Sequence, residues 1–171
     1  MHAKRTFQER YQIQMITVWS EAFRTGEIIP SRHTCDGRDL SPPISWKDIP
    51  SDTRSIVLIM DDPDTPGGTF VHWVAFNIPP NIRMLPEGLP KHSSLTPWPF
   101  GDSSYQGIND FGNTGYGVPC PPPGRFHRYL FKVYALDTKL PLPPGSSKLD
   151  VENAMTNHIL AKGELIGIYS R

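Results

Sequence analysis

The chain has 171 residues, 37% of them hydrophobic, with 17 Lys plus Arg set against 17 Asp plus Glu. That length suits one domain with a real core, and the charge balance excludes the broad basic field that nucleic acid needs. With 19 prolines and 14 glycines the chain favours turns over long helices, and no apolar run approaches the ~18 residues of a membrane span.

The elements follow in chain order. Residues 1–10 are polar and expected to be loose. The start is basic but has no apolar segment of the signal-peptide kind, so a cytoplasmic location is expected. "QIQMITVW" (12–19) predicts a strand, and "SRHTCDGRDLSPPISW" (31–46) is turn-rich. "SIVLIMDDPDTPGG" (55–68) is a β-branched apolar run cut by prolines and glycines, and "FVHWVAFNIPP" (70–80) is a second strand ended by prolines. Residues 79–123 lack periodicity. A loop that long in one domain is commonly functional or carries short hidden elements. "HRYLFKVYAL" (127–136) is the third clear strand. "KLDVENAMTNHILAKG" (148–163) predicts a helix, with Ser147 as N-cap and Gly163 as its left-handed stop. "ELIGIYS" (164–170) closes the chain as a strand. The expected architecture is mainly β, a single-domain sandwich of antiparallel strands with one late helix and long ordered loops.

Alternation along a strand places side chains on opposite faces. His127, Tyr129, Phe131, Val133 and Ala135 therefore share one face, and Arg128, Leu130, Lys132, Tyr134 and Leu136 the other. By the same rule Phe70, His72, Val74 and Phe76 share a face, and Asp62 follows Ile56, Leu58 and Met60 on an inward one. A buried histidine needs a partner, and the nearest acids are Asp61, Asp62 and Asp64. Two cysteines, Cys35 and Cys120, are too few for a disulfide scaffold, and reduced thiols are the default reading in a cytosolic chain.

"DDPDTPGGTFVHWVAFNIP" and "GYGVPCPPPGRFHRY" resemble the two signature regions of the phosphatidylethanolamine-binding protein family, in its bacterial and archaeal, Raf-kinase-inhibitor-like branch. "PSRHTCDGRDLSPPISW", "GINDFGNTGYG" and "HILAKGELIGIY" are similar to that branch too. The resemblance implies a β-sandwich with a small anion-accepting cavity at one end. It places Asp62, Asp64, His72, His127 and Tyr129 around that cavity, with Pro119 and Pro121 from the proline-rich loop. The branch commonly has glycine where this chain has Val118, which could narrow the mouth of the cavity. The implied function is non-catalytic binding of a small anion: phosphate, a phosphoethanolamine-type head group or a phosphorylated metabolite. Asp62 would orient one histidine, and both histidines and Tyr129 would donate to the ligand. No cofactor is implied, and a homodimer is. Both cysteines fall in motifs near the cavity, so a reversible disulfide between them is the alternative to free thiols.

Three rivals use the same residues. Two histidines and two aspartates are a conceivable metal set, but no metal motif such as H-E-x-x-H is present. A hydrolase would need a nucleophile. There is no G-x-S-x-G elbow, and Cys120 sits in a constrained loop seven residues before His127. The third rival is a protein-interaction regulator such as a kinase or protease inhibitor. His158 and "TPWPF" (96–100) could serve an interface, although core or loop anchoring suits both better.

Overall fold

The computed structural model describes residues 13–96, 99–101 and 103–171. The expectation for residues 1–10, and Pro97 and Trp98 of the aromatic stretch, lie outside the described residues. The strands are β1 (Gln14–Met15), β2 (Thr17–Trp19), β3 (Ile44–Lys47), β4 (Ser55–Thr65), β5 (Gly68–Ile78), β6 (Met84–Leu85), β7 (Tyr105–Gln106), β8 (His127–Leu136) and β9 (Ile159–Tyr169). Among the described residues one α-helix, α1 (Lys148–Met155), precedes β9. A six-stranded sheet runs in the order β1-β9-β8-β4-β5-β7, and β2-β3-β6 form a second sheet. All pairings among these strands are antiparallel except β1 with β9.

The larger sheet is apolar on both faces, as a central sheet covered on each side must be. On one face Leu58, Met60, Trp73, Phe131 and Val133 pack with Ile44, Trp46 and Leu85 of the smaller sheet. On the other face Val57, Ile59, Val74 and Phe76 meet Val151 and Met155 of α1. The alternation read in β8 holds, since His127, Tyr129, Phe131, Val133 and Ala135 are all buried while Arg128 is exposed. The unpatterned stretch 79–123 is mostly loop and hides β6 and β7, each of two residues.

Two predicted elements divide differently. The expected strand 12–19 is two strands in two sheets. β1 pairs with β9 and β2 with β3, and the chain crosses between the sheets at Ile16, whose N–H donates to the Lys162 carbonyl at 2.8 Å. The expected helix 148–163 starts where read, with Ser147 Oγ accepting from the Asp150 N–H at 3.1 Å. It ends at Met155, and Asn157, at φ 69°, takes the left-handed position expected of Gly163. Residues from Ile159 onward extend along β8 in a register from Ile159 opposite Leu136 to Tyr169 opposite His127. Ala161, Gly163, Leu165, Gly167 and Tyr169 are buried at every second position. That period belongs to a strand, and the ladder with β8 outweighs local helix propensity.

Gly163 is needed for another reason. A Cβ there would lie 1.9 Å from the Ile16 carbonyl oxygen, where the chain crosses between sheets. Gly163→Ala should therefore cost about 1–3 kcal/mol by overpacking. A lowered urea midpoint at unchanged slope is the expected readout.

Candidate functional site

At one end of the larger sheet, where β4 ends and β8 begins, lies a cavity of about 200 Å³. Asp62 is 2% exposed and forms its inner wall. Its Oδ1 accepts the Asp64 backbone N–H at 2.8 Å, and its Oδ2 accepts Nδ1–H of His127 at 2.7 Å. Both carboxylate oxygens are thus engaged, one closing the turn and one fixing the imidazole. Antiparallel pairing of β4 with β8 lets residues so far apart in sequence meet.

His72 reaches the cavity through an irregularity. Met60 faces Trp73, whereas Asp61 faces Val71 and Asp62 faces Phe70, so His72 is the unmatched residue of a β-bulge. The bulge reverses side-chain parity along β5. Trp73 and Ala75 lie on the main-core side, His72 and Phe70 turn to the same side at the cavity, and Val71 joins Val74 and Phe76 on the other. The expectation that Phe70, His72, Val74 and Phe76 share one face fails here, because simple alternation assumes an uninterrupted strand.

The histidine is then clamped. Nδ1–H of His72 donates to the Gly117 carbonyl at 2.7 Å, and the Gly117 N–H donates to the His72 carbonyl at 2.7 Å. Gly117 must be glycine, since a Cβ there would lie 2.6 Å from the Phe111 ring. Burial lowers the His72 pKa below the ordinary imidazole value, against the opposing pull of the Gly117 carbonyl and the Asp62 charge. Burial, then the charges of Asp62 and Asp64, push the Tyr129 phenol far up, so it stays a neutral donor. Aromatic rings complete the wall. The His72 ring centroid is 5.2 Å from that of Tyr129 and 5.0 Å from that of Phe70, and Phe70 and Phe111 stand edge to face at 4.8 Å.

Of the residues expected at the cavity, Asp62, His72, Pro121, His127 and Tyr129 line it. Asp64 does not. It is gripped by Arg128, with Oδ1 to Nη2 at 2.9 Å, Oδ2 to Nε at 3.0 Å and Oδ2 to the backbone N–H at 2.9 Å. The guanidinium holds the Asp64 carboxyl down at about 2. Pro119 is also outside the lining, and its carbonyl accepts the Cys35 N–H at 3.1 Å. Val118 packs against the main core with φ outside the left-handed region, and it is not among the residues lining the cavity. Sequence reasoning missed Thr65, Pro66, Phe70 and Phe111, while Cys120 and Pro122 belong to the proline-rich loop that the resemblance put at the cavity. Phe111 was signalled by its place in "GINDFGNTGYG", between glycines that shape a loop.

Cys35 and Cys120 form a disulfide, with Cα atoms 5.4 Å apart. This corrects the expectation of reduced thiols. The two lie 85 residues apart in sequence, and only folding brings them within bridging distance. A wider hollow of about 390 Å³, beside Thr53 and Arg54 at the far end of β4, contains neither imidazole. Among the described residues no three His, Cys, Asp or Glu side chains cluster in a metal-holding arrangement. No helix of the described residues is long and apolar enough to cross a membrane.

Residues 19–170 match the family model described as phosphatidylethanolamine-binding protein. The chain belongs to the phosphatidylethanolamine-binding protein family. It is 52% identical to a UPF0098 protein of Aquifex aeolicus, over 92% of this chain and 90% of that one. A UPF0098 protein of Methanothermobacter thermautotrophicus is 50% identical, over 89% and 97%. Among solved structures, the chain resembles a phosphatidylethanolamine-binding protein homologue of Chlamydia trachomatis, with TM-score 0.81, 37% identity and 92% and 99% coverage. It also resembles YbcL of Escherichia coli, described as a new member of the mammalian PEBP family, with TM-score 0.82, 35% identity and 91% and 98% coverage. These matches establish family and fold.

Proposed function

We propose that the cavity holds a small phosphate-like anion, free or as a lipid head group, without turning it over. The observation that carries this reading is the His127–Asp62 pair, buried on both sides and opening onto the same hollow as His72 and Tyr129. A carboxylate and a carbonyl oxygen can only accept, so Nδ1 carries the proton in both rings. In a neutral ring Nε2 is then left with a lone pair and no proton, and both rings line the cavity, so a neutral imidazole offers an anion no donor there. Protonation turns each Nε2 into a charge-assisted donor. Tyr129 is the donor available in either state. The apolar rings of Phe70 and Phe111 line the hollow and lower its local polarity, which strengthens these bonds.

Binding must therefore tighten as the pH falls. Sulfate is a clean probe, because it keeps its charge between pH 5.5 and 8.5. An ordinary imidazole titrates near ~6.5, and one proton gained on binding changes affinity up to about tenfold per pH unit. Calorimetry should show sulfate bound at least about tenfold more tightly at pH 5.5 than at pH 8.5. Equal affinity at the two would remove the histidines from the anchor role. The neutral, buried His72 acts on stability in the opposite sense. Its folded pKa is depressed, so the stability tied to its neutral form is complete above the unfolded value of ~6.5 and is lost as the pH falls below it.

A homodimer belongs to this reading through family likeness, and a cytoplasmic setting goes with it if the Cys35–Cys120 bridge is made and broken there. Light scattering tests the dimer.

A further inference from the structure

The disulfide and the cavity are one site. Cys120 lines the same hollow of about 200 Å³ as His127, Asp62 and Tyr129. Its residue is exposed while Cys35 is half-buried, so Cys120 is the more open half of the bridge. The same cavity is lined by His127, whose Nδ1–H is held at 2.7 Å by the buried Asp62 carboxylate, so that in the neutral ring Nε2 is the nitrogen able to accept a proton. A carboxylate that fixes the tautomer of a histidine, and a histidine able to take a proton from a sulfur nucleophile, are two parts of a cysteine triad. The third part is present but bonded to Cys35.

We propose that Cys120 is a latent nucleophile: reduction of the Cys35–Cys120 bridge frees, inside the cavity, a thiol that His127 deprotonates and that captures small carbon electrophiles. The proposal rests on the cavity and not on anion binding. The steps balance. An external dithiol supplies two electrons and two protons, becomes a disulfide itself and leaves two protein thiols. The Cys120 proton passes to Nε2 of His127. The thiolate then attacks the electrophilic carbon, one S–C bond forms, and the bond to the leaving group breaks with its electron pair. The resulting imidazolium, still paired with Asp62, can return its proton to that leaving group. Tyr129 is a neutral O–H donor for negative charge that develops on the way. The hollow admits only small reactants.

The test uses iodoacetamide, in which the broken bond is C–I and iodide departs. Full-length protein is reduced with a phosphine and alkylated across pH 5.5–9, with each cysteine followed by peptide mass. Cys120 should react at least about tenfold faster than Cys35 at pH 6, where an ordinary thiol with pKa ~8.5 is almost wholly protonated. Cys35→Ser, which frees Cys120 without reductant, should keep the fast rate. Adding His127→Gln should slow Cys120 at least about tenfold at pH 6 and move its rate profile up towards the ordinary thiol range. Should that substitution unfold the chain, Asp62→Asn, which retains an oxygen for the Asp64 N–H, should give the same slowing in a folded protein. A Cys120 that reacts no faster than Cys35 in the reduced wild type overturns the proposal, as does a rate indifferent to either substitution. Sulfate affinity measured on the oxidised wild-type protein keeps the two readings apart, since a Cys120 that is unreactive after reduction in a protein that binds sulfate before it sinks only this one.

Discussion

Asp62→Ala is expected to destabilise the fold by about 2–6 kcal/mol, since each buried donor left without its acceptor costs about 1–3 kcal/mol. Two donors are orphaned at once, Nδ1–H of His127 and the backbone N–H of Asp64. Sulfate binding at pH 5.5 should also weaken at least about tenfold, because imidazolium loses its countercharge and its orientation. Urea unfolding and calorimetry on one preparation measure both. Asp62→Asn separates the two effects. Its amide oxygen can keep the Asp64 N–H bond, and its NH₂ would face His127 as a donor. The imidazole must then accept at Nδ1 and carry its proton on Nε2. A neutral histidine becomes a donor to the cavity, so the dependence of sulfate affinity on pH should flatten. If Asp62→Asn keeps the full wild-type slope, the carboxylate does not set the tautomer.

The second large effect concerns the bridge. The Cys35–Cys120 disulfide closes a loop spanning 85 residues, and chain-entropy arguments give such a loop about 4–5 kcal/mol. For a domain of this size that corresponds to a fall in Tm on the order of 10 °C. A Cys35→Ser scan against wild type, both without reductant, measures it. A shift below ~2 °C would mean that the denatured chain gains little freedom when the bridge is absent. Reduced wild-type protein should fall to the same midpoint as the variant, because both lose one and the same cross-link. Sulfate affinity should fall with it, since the bridge pins the loop that brings Cys120, Pro121 and Pro122 to the cavity wall.

Much of the site was legible beforehand for reasons that can be named. In β8 a strict period of two made His127 and Tyr129 neighbours on an inward face, and the structure keeps them there. In β4 the same period carried Asp62 inward after Leu58 and Met60. Ser147 announced the start of α1 through capping chemistry that is local to three residues. The motif resemblance pointed to the family and gathered the segments around one hollow. Asp64 shows its limit: the motif put it at the cavity, while Arg128, next to His127 on the outward face of β8, draws it aside.

Composition, strand period and motif determined the β-rich class, the family, and which imidazoles and carboxylate face inward, because each is written in residues close together along the chain. Only the tertiary structure decided that His72 sits on a bulge, that Gly163 lies in a strand under the Ile16 carbonyl, and that Cys120 is bonded to Cys35. Those three depend on which distant segment lies alongside. A register slip of one residue, a crossing backbone or a partner cysteine far along the chain changes the outcome without altering the local pattern.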